Sequence, residues 1–154
     1  MTTYYLDTSA AVKLYVQEIG SGWLQELLVA SRPPVVVTSH LLRVEMWSAF
    51  ARRLREQTVN ATEYNEICAL FAEDRQNLYR FTPIHEAAIQ NACEYVERYP
   101  LRAADAIHLA AALTTNRQLL NARKRGLVFL CADDRLLQAA AAEGLATDNP
   151  NSHL

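Results

Sequence analysis

Four carboxylates stand where an acid has a chemical use. Asp7 ends the run Tyr4-Tyr5-Leu6, Asp133 follows Leu127-Val128-Phe129-Leu130, and Glu45 and Asp105 fall in the first turns of helical stretches. Burying a carboxylate is costly unless something positive meets it, and no basic residue is spaced alongside this set. A divalent metal ion is the common partner for such acids. Hard ions prefer oxygen ligands, and Mg²⁺ keeps several waters while taking only one or two carboxylates directly. An ion held this way lowers the pKa of a bound water and neutralises charge on phosphorus oxygens, which is phosphodiester chemistry. Taken singly, Asp7 and Asp105 read equally well as acids serving a helix N-terminus, and Glu45 as a solvated helix residue. Only the joint pattern points to metal. Asp134 is adjacent to Asp133 and competes with it as the fourth acid.

The elements that must position these acids follow from hydrophobic patterning. Tyr4-Tyr5-Leu6, Val35-Val36-Val37-Thr38, Leu78-Tyr79-Arg80-Phe81 and Leu127 to Leu130 are short β-prone runs. Their hydrophobicity is continuous rather than alternating, as in strands buried on both faces. Between them lie helical stretches. Thr8 and Ser9 are N-cap types before Ala10 to Tyr15, and a second helix is expected over Ser21 to Ala30, broken by Arg32-Pro33-Pro34. Ser39 precedes a long helix from His40 to about Gln57, with Leu41, Val44, Trp47 and Ala51 at helical spacing. Asn60-Ala61-Thr62-Glu63 has the order of a capping box. Thr82-Pro83 is expected to open a further helix, with Pro at its favoured first position. Helical stretches then follow through Asp105, over Asn121 to Arg125 before Gly126, and over Arg135 to Glu143 before Gly144. This alternation predicts a three-layer α/β/α sandwich with a mostly parallel central sheet of four to five strands. Sites in such folds form beyond the carboxyl ends of the strands.

Bulk properties narrow the class. The 154 residues fit a single domain spanning 1–154, with 51% apolar and 21% charged residues and a net charge of −2. That charge does not advertise a nucleic-acid binder, although a local basic patch can act within it. No apolar run approaches the roughly 18 to 20 residues of a membrane helix, and the N-terminus lacks a signal-like pattern. Cys68, Cys93 and Cys131 form no metal-like spacing and read as reduced thiols of a cytoplasmic protein.

The acidic segments resemble, in order and spacing, those of the PIN-domain ribonuclease family, and within it the VapC toxins of type II VapBC toxin–antitoxin pairs. The likeness rests on Asp7-Thr8-Ser9-Ala10, on Ser39 through Glu45, on Leu101-Arg102-Ala103-Ala104-Asp105-Ala106-Ile107-His108-Leu109-Ala110, on Asp133 with Leu136, Ala139, Ala140 and Gly144, and on Asn149-Pro150-Asn151. The resemblance implies a PIN-like fold and endonucleolytic cleavage of RNA with one or two Mg²⁺ or Mn²⁺ ions. It also implies a homodimer and a small cognate antitoxin. On this reading Asp7 and Asp105 bind metal most directly, Glu45 and Asp133 act as outer ligands or orient waters, and Thr8 or Ser9 helps position the site. The acids should repel one another, so that at least one titrates abnormally high.

Supporting residues carry two readings each. His108, three residues after Asp105, is a packed histidine or a proton shuttle or phosphate contact. Arg102 contacts phosphate or pairs with a neighbouring acid. Arg43, Arg52, Arg53 and Arg55 grip RNA phosphates or solvate a helix. A PIN nuclease of RNA maturation without an antitoxin, and an inactive RNA-binding module, remain as rival functions. A dehalogenase-like phosphatase would need an acid where Ser9 stands.

Overall fold

In the computed structural model, which describes residues 1–154, five strands form one sheet. They are β1 (Thr3–Leu6), β2 (Val35–Ser39), β3 (Tyr79–Thr82), β4 (Val128–Leu130) and β5 (Ala146–Asp148). The sheet order is β3-β2-β1-β4-β5 and every pairing is parallel. Tyr4 pairs with Val36 on one side and Val128 on the other, so β1 is central. Parallel neighbours require crossovers, and helices supply them.

The side-chain alternation of the strands divides the interior into two cores. Tyr5, Val37 and Phe129 point to one face, which is covered by α5 (Glu86–Arg98), α6 (Ala103–Asn121) and α7 (Asp134–Ala142). Leu6, Val36, Tyr79 and Leu130 point to the other, covered by α1 (Thr8–Ala11), α2 (Ser21–Leu28), α3 (Leu41–Arg55) and α4 (Ala61–Asn77). This is the expected three-layer sandwich. The chain lays β2 and β3 on one side of β1, then crosses to β4 and β5 on the other. The direction of winding therefore reverses between β1 and β4, and a crevice opens there at the carboxyl edge.

Asp7 takes the cap role that the sequence offered it alongside Thr8 and Ser9, accepting the Ala10 amide at 3.0 Å, and the following turn, Val12–Leu14, tightens to a 3-10 helix. Several local expectations are corrected. The second helix stops at Leu28 rather than Ala30. The face of α3 that enters the core is Leu42, Met46 and Phe50, while Val44 and Trp47 are exposed. Both stripes are apolar at helical spacing, and packing on the sheet chooses between them. Thr82 is not a helix start: it pairs with Ser39 in the sheet, and α5 begins at Glu86. The stretch after Asn121 is not helical. Arg123 takes a positive φ of 55°, and the Leu127 amide turns back to donate to Asn116 Oδ1 at 2.9 Å. Asn60 caps α4, with the Glu63 amide donating to Asn60 Oδ1 at 2.8 Å, but Glu63 Oε1 accepts the Asn60 side-chain amide at 2.6 Å rather than its backbone amide, so only half of the expected capping box forms.

Candidate active site

Asp7, Glu45, Asp105 and Asp133 line one cleft of about 470 Å³ at the carboxyl edge of the sheet. Each reaches it from a different element. Asp7 follows β1, its backbone amide extending the ladder to Leu130 O at 3.3 Å. Glu45 stands in the second turn of α3, Asp105 in the first turn of α6, and Asp133 caps α7.

Asp7 is the buried member, 4% exposed. The Ser9 hydroxyl lies 2.8 and 2.9 Å from its two oxygens, the Ala10 amide donates to Oδ1, and the Cys131 thiol donates to Oδ2 at 3.1 Å. Burial pushes its carboxyl above the ordinary range, and the His108 ring and these donors offset that only in part. An acid does titrate high, as expected, but the cause is burial rather than repulsion from the other carboxylates.

The three remaining acids share a pattern. Glu45 Oε1 accepts the Thr8 hydroxyl at 2.7 Å and contacts His108 Nε2 at 2.6 Å. Asp105 Oδ2 accepts the Arg102 amide at 3.2 Å, and Asp133 Oδ1 accepts the Arg135 amide at 2.9 Å. Each uses one oxygen to fix its position and leaves the other without a protein partner. Burial raises Glu45, and the His108 and Thr8 hydrogen bonds more than reverse this, leaving it below the ordinary value.

Asp133 and Asp134 separate clearly in space. Asp133 lines the cleft, while Asp134 is exposed and accepts Asn149 Nδ2 at 3.2 Å. The sequence put Asp133 at a strand end, but β4 closes at Leu130 and the buried Cys131 intervenes. Ser39 ends β2, and its hydroxyl accepts the Leu41 amide at 3.1 Å. It supports the start of α3 from outside the cleft lining.

Four basic residues, Lys13, Arg52, Arg53 and Arg102, and the acid Glu18 line the same cleft. Arg43 and Arg55 are not part of it. Lys13 is 4% exposed, with its ammonium 3.2 Å from Glu18 Oε2 and 2.9 Å from Ile19 O. Arg53 reaches the other Glu18 oxygen at 2.8 Å. Sequence reasoning passed over Lys13 and Glu18. The one available signal was an isolated Lys inside the otherwise apolar stretch Ala10 to Tyr15.

The donor set fits a hard divalent ion. It consists of carboxylates, three of them with one oxygen that has no protein partner. No three acidic, thiol or imidazole groups stand close enough together to hold an ion as a set. Mg²⁺ keeps waters and needs only one or two direct carboxylates, so the separate cleft carboxylates are the residues that would hold it.

Comparison with known proteins identifies the family and the fold. The PIN domain model matches residues 4–142. Ribonuclease VapC47 of Mycobacterium tuberculosis is 31% identical over 150 residues, covering 96% of this chain and 97% of that protein. Among solved structures, VapBC2 from Rickettsia felis, bound to a DNA fragment from its promoter, aligns with a TM-score of 0.62 at 10% identity, over 96% of this chain and 98% of that one. VapC20 of Mycobacterium tuberculosis, a toxin that cleaves the sarcin-ricin loop, aligns with a TM-score of 0.61 at 20% identity, over 93% and 96%. A toxin–antitoxin complex from Klebsiella pneumoniae gives 0.54 at 15% identity, over 96% and 97%. The family model spans residues 4–142, most of the chain, and by it this chain belongs to the PIN-domain family.

Proposed function

We propose that this chain is a metal-dependent endoribonuclease acting as the toxin of a toxin–antitoxin pair. The observation that carries the reading is the gathering of Asp7, Glu45, Asp105 and Asp133 around one cleft that Lys13, Arg52, Arg53 and Arg102 also line. The 31% identity to a ribonuclease across 96% of the chain supports it. Asp7 and Asp105 would hold one or two Mg²⁺ or Mn²⁺ ions, with Glu45 and Asp133 as outer ligands or holders of metal-bound waters. When bound, the metal supplies a water of lowered pKa and neutralises charge developing on the phosphate.

The chain's own residues bind and orient the substrate. Lys13, anchored by Glu18 and Ile19 O, presents a fixed positive charge to the cleft. Arg52 and Arg53 extend that charge along α3, where RNA phosphates would displace counterions. Arg102 adds a cation beside Asp105. Ser9 and Cys131 hold Asp7, and Thr8 holds Glu45.

A small cognate antitoxin that covers the cleft, a homodimeric assembly and a cytoplasmic location complete the proposal. The toxin–antitoxin fold neighbour supports the partner, and no helix is long and apolar enough to cross a membrane. Expression with and without the product of a small adjacent reading frame tests the toxin role. The chain alone is expected to arrest growth and cleave RNA, and the partner or Asp7→Asn is expected to abolish both. Cleavage without growth arrest, and without a suppressing partner, would instead favour a nuclease of RNA maturation.

A further inference from the structure

Glu45 is held by a chain of side chains that starts deep in the sheet. Tyr5, fully buried in β1, accepts the Ser39 amide at 3.1 Å through its hydroxyl oxygen. The same hydroxyl lies 2.8 Å from His108 Nδ1. The phenolic hydrogen needs an acceptor at a buried site. The Ser39 amide can only donate, and the nearby Thr38 hydroxyl spends its hydrogen on Leu6 O at 2.8 Å, so the acceptor that faces the phenol in hydrogen-bond geometry is Nδ1. A ring nitrogen that accepts carries no proton, which places the imidazole hydrogen on Nε2. Nε2 faces Glu45 Oε1 at 2.6 Å, and a carboxylate there demands the same donor. Both ends of the ring therefore select one neutral tautomer.

We infer that Tyr5 and His108 act as a positioning pair that locks His108 as the Nε2–H tautomer and thereby fixes Glu45 in the cleft. Thr8 supplies the second donor to the same oxygen, at 2.7 Å. Oε1 is thus held twice, and Oε2 is turned free for the site's chemistry. The pair also ties three elements together, since Tyr5 lies in β1, His108 in α6 and Glu45 in α3. His108 follows Asp105 by one helical turn, so α6 delivers one acid and braces another. The ring is 2% exposed and edge-on to Tyr5, with centroids 5.9 Å apart and planes at 76°. With Nδ1 and Nε2 both engaged, His108 has no free lone pair for a substrate proton, which separates it from a general base. Such orienting partners of site carboxylates and imidazoles typically matter by about 10- to 100-fold.

The inference rests on the nuclease reading for the importance of Glu45, but its structural part can be tested without metal or substrate. Nitrogen-15 spectra of the imidazole in the metal-free protein, at mildly alkaline pH, are expected to show His108 with a bare Nδ1 and a protonated Nε2. An Nδ1–H form, or a doubly protonated ring, would overturn the inference. Two substitutions then test the positioning role. The Gln amide of His108→Gln reaches the Nε2 position and can donate to Glu45, whereas the Asn amide of His108→Asn reaches only the Nδ1 position. RNA cleavage by His108→Asn is expected to fall about tenfold or more below that of His108→Gln. Equal losses would refute the role. A wild-type protein that cleaves no RNA and binds no Mn²⁺ would remove the nuclease reading while leaving the tautomer result to stand or fall alone.

Discussion

The Cys131 sulfur lies 3.1 Å from Oδ2 of Asp7, so a thiol closes the set of donors around the most buried acid of the cleft. The same sulfur accepts the Asp133 amide at 3.2 Å, and Ser9 bridges Asp7 to the Ala132 amide at 2.9 Å. The strand-end acid after β1 and the helix-capping acid before α7 are thereby joined through one cysteine and one serine. Burial remains the dominant influence on Asp7, ahead of the His108 ring, the Cys131 thiol and the Ser9 hydroxyl.

That balance sets a pH dependence. A carboxyl raised above its ordinary 3.8 binds its proton more tightly folded than unfolded. Its contribution to stability is therefore lost as pH rises from 3.8 through the raised value, and the deficit persists at neutral pH. Asp7→Asn removes the buried charge while keeping a good cap residue. In metal-free buffer it is expected to melt above wild type at neutral pH, with the gap closing as pH approaches 3.8. Thermal melts across this range check it, and a variant that melts lower throughout would contradict the buried-charge assignment.

The three thiols should report their environments. Cys131 is fully buried and burial pushes its thiol well up, Cys68 is half-buried and also raised by burial, and Cys93 is exposed on α5. Alkylation of the native protein is expected to modify Cys93 first and leave Cys131 untouched until unfolding. Peptide mapping by mass spectrometry after timed iodoacetamide treatment reads the order. Early labelling of Cys131 would show that the base of the site is open.

Stability is expected to depend strongly on the aromatic cluster behind α3. Phe71 is 1% exposed and meets Tyr15, Phe50, Trp47 and Tyr79 edge-on at centroid distances of 5.5, 6.1, 5.6 and 6.0 Å. Phe71→Ala should cost about 3–5 kcal/mol, measured from urea unfolding. A loss below about 1 kcal/mol would mean that the cluster collapses around the gap.

Four of the five strands were legible because they are short β-branched and aromatic runs, and the order of the acids marked the edge where they meet; β5, Ala146–Asp148, has no such run and was not legible. The Asn60 cap was legible because Asn and Glu three residues apart are a local signal. What escaped depends on contacts distant in sequence. Leu42, Met46 and Phe50 enter the core in place of Leu41, Val44 and Trp47 only because the sheet lies on that side. Thr82 joins β3 because Ser39 is there to pair with it. Lys13 enters the cleft wall through Glu18, with which its sequence spacing shares no helical period. The Tyr5–His108 contact spans 103 residues and leaves no periodic trace at all.

The most direct test of the acidic cleft as a metal-dependent nuclease site is cleavage of a defined RNA by the purified chain, titrated with Mn²⁺ beside Asp7→Asn. Wild type is expected to cut the strand internally only when the ion is present, to stop when a chelator is added, and to exceed Asp7→Asn by about 100-fold or more, as for loss of a group that acts directly in the transition state. Cleavage that persists in chelator, or that Asp7→Asn performs as well as wild type, would contradict it.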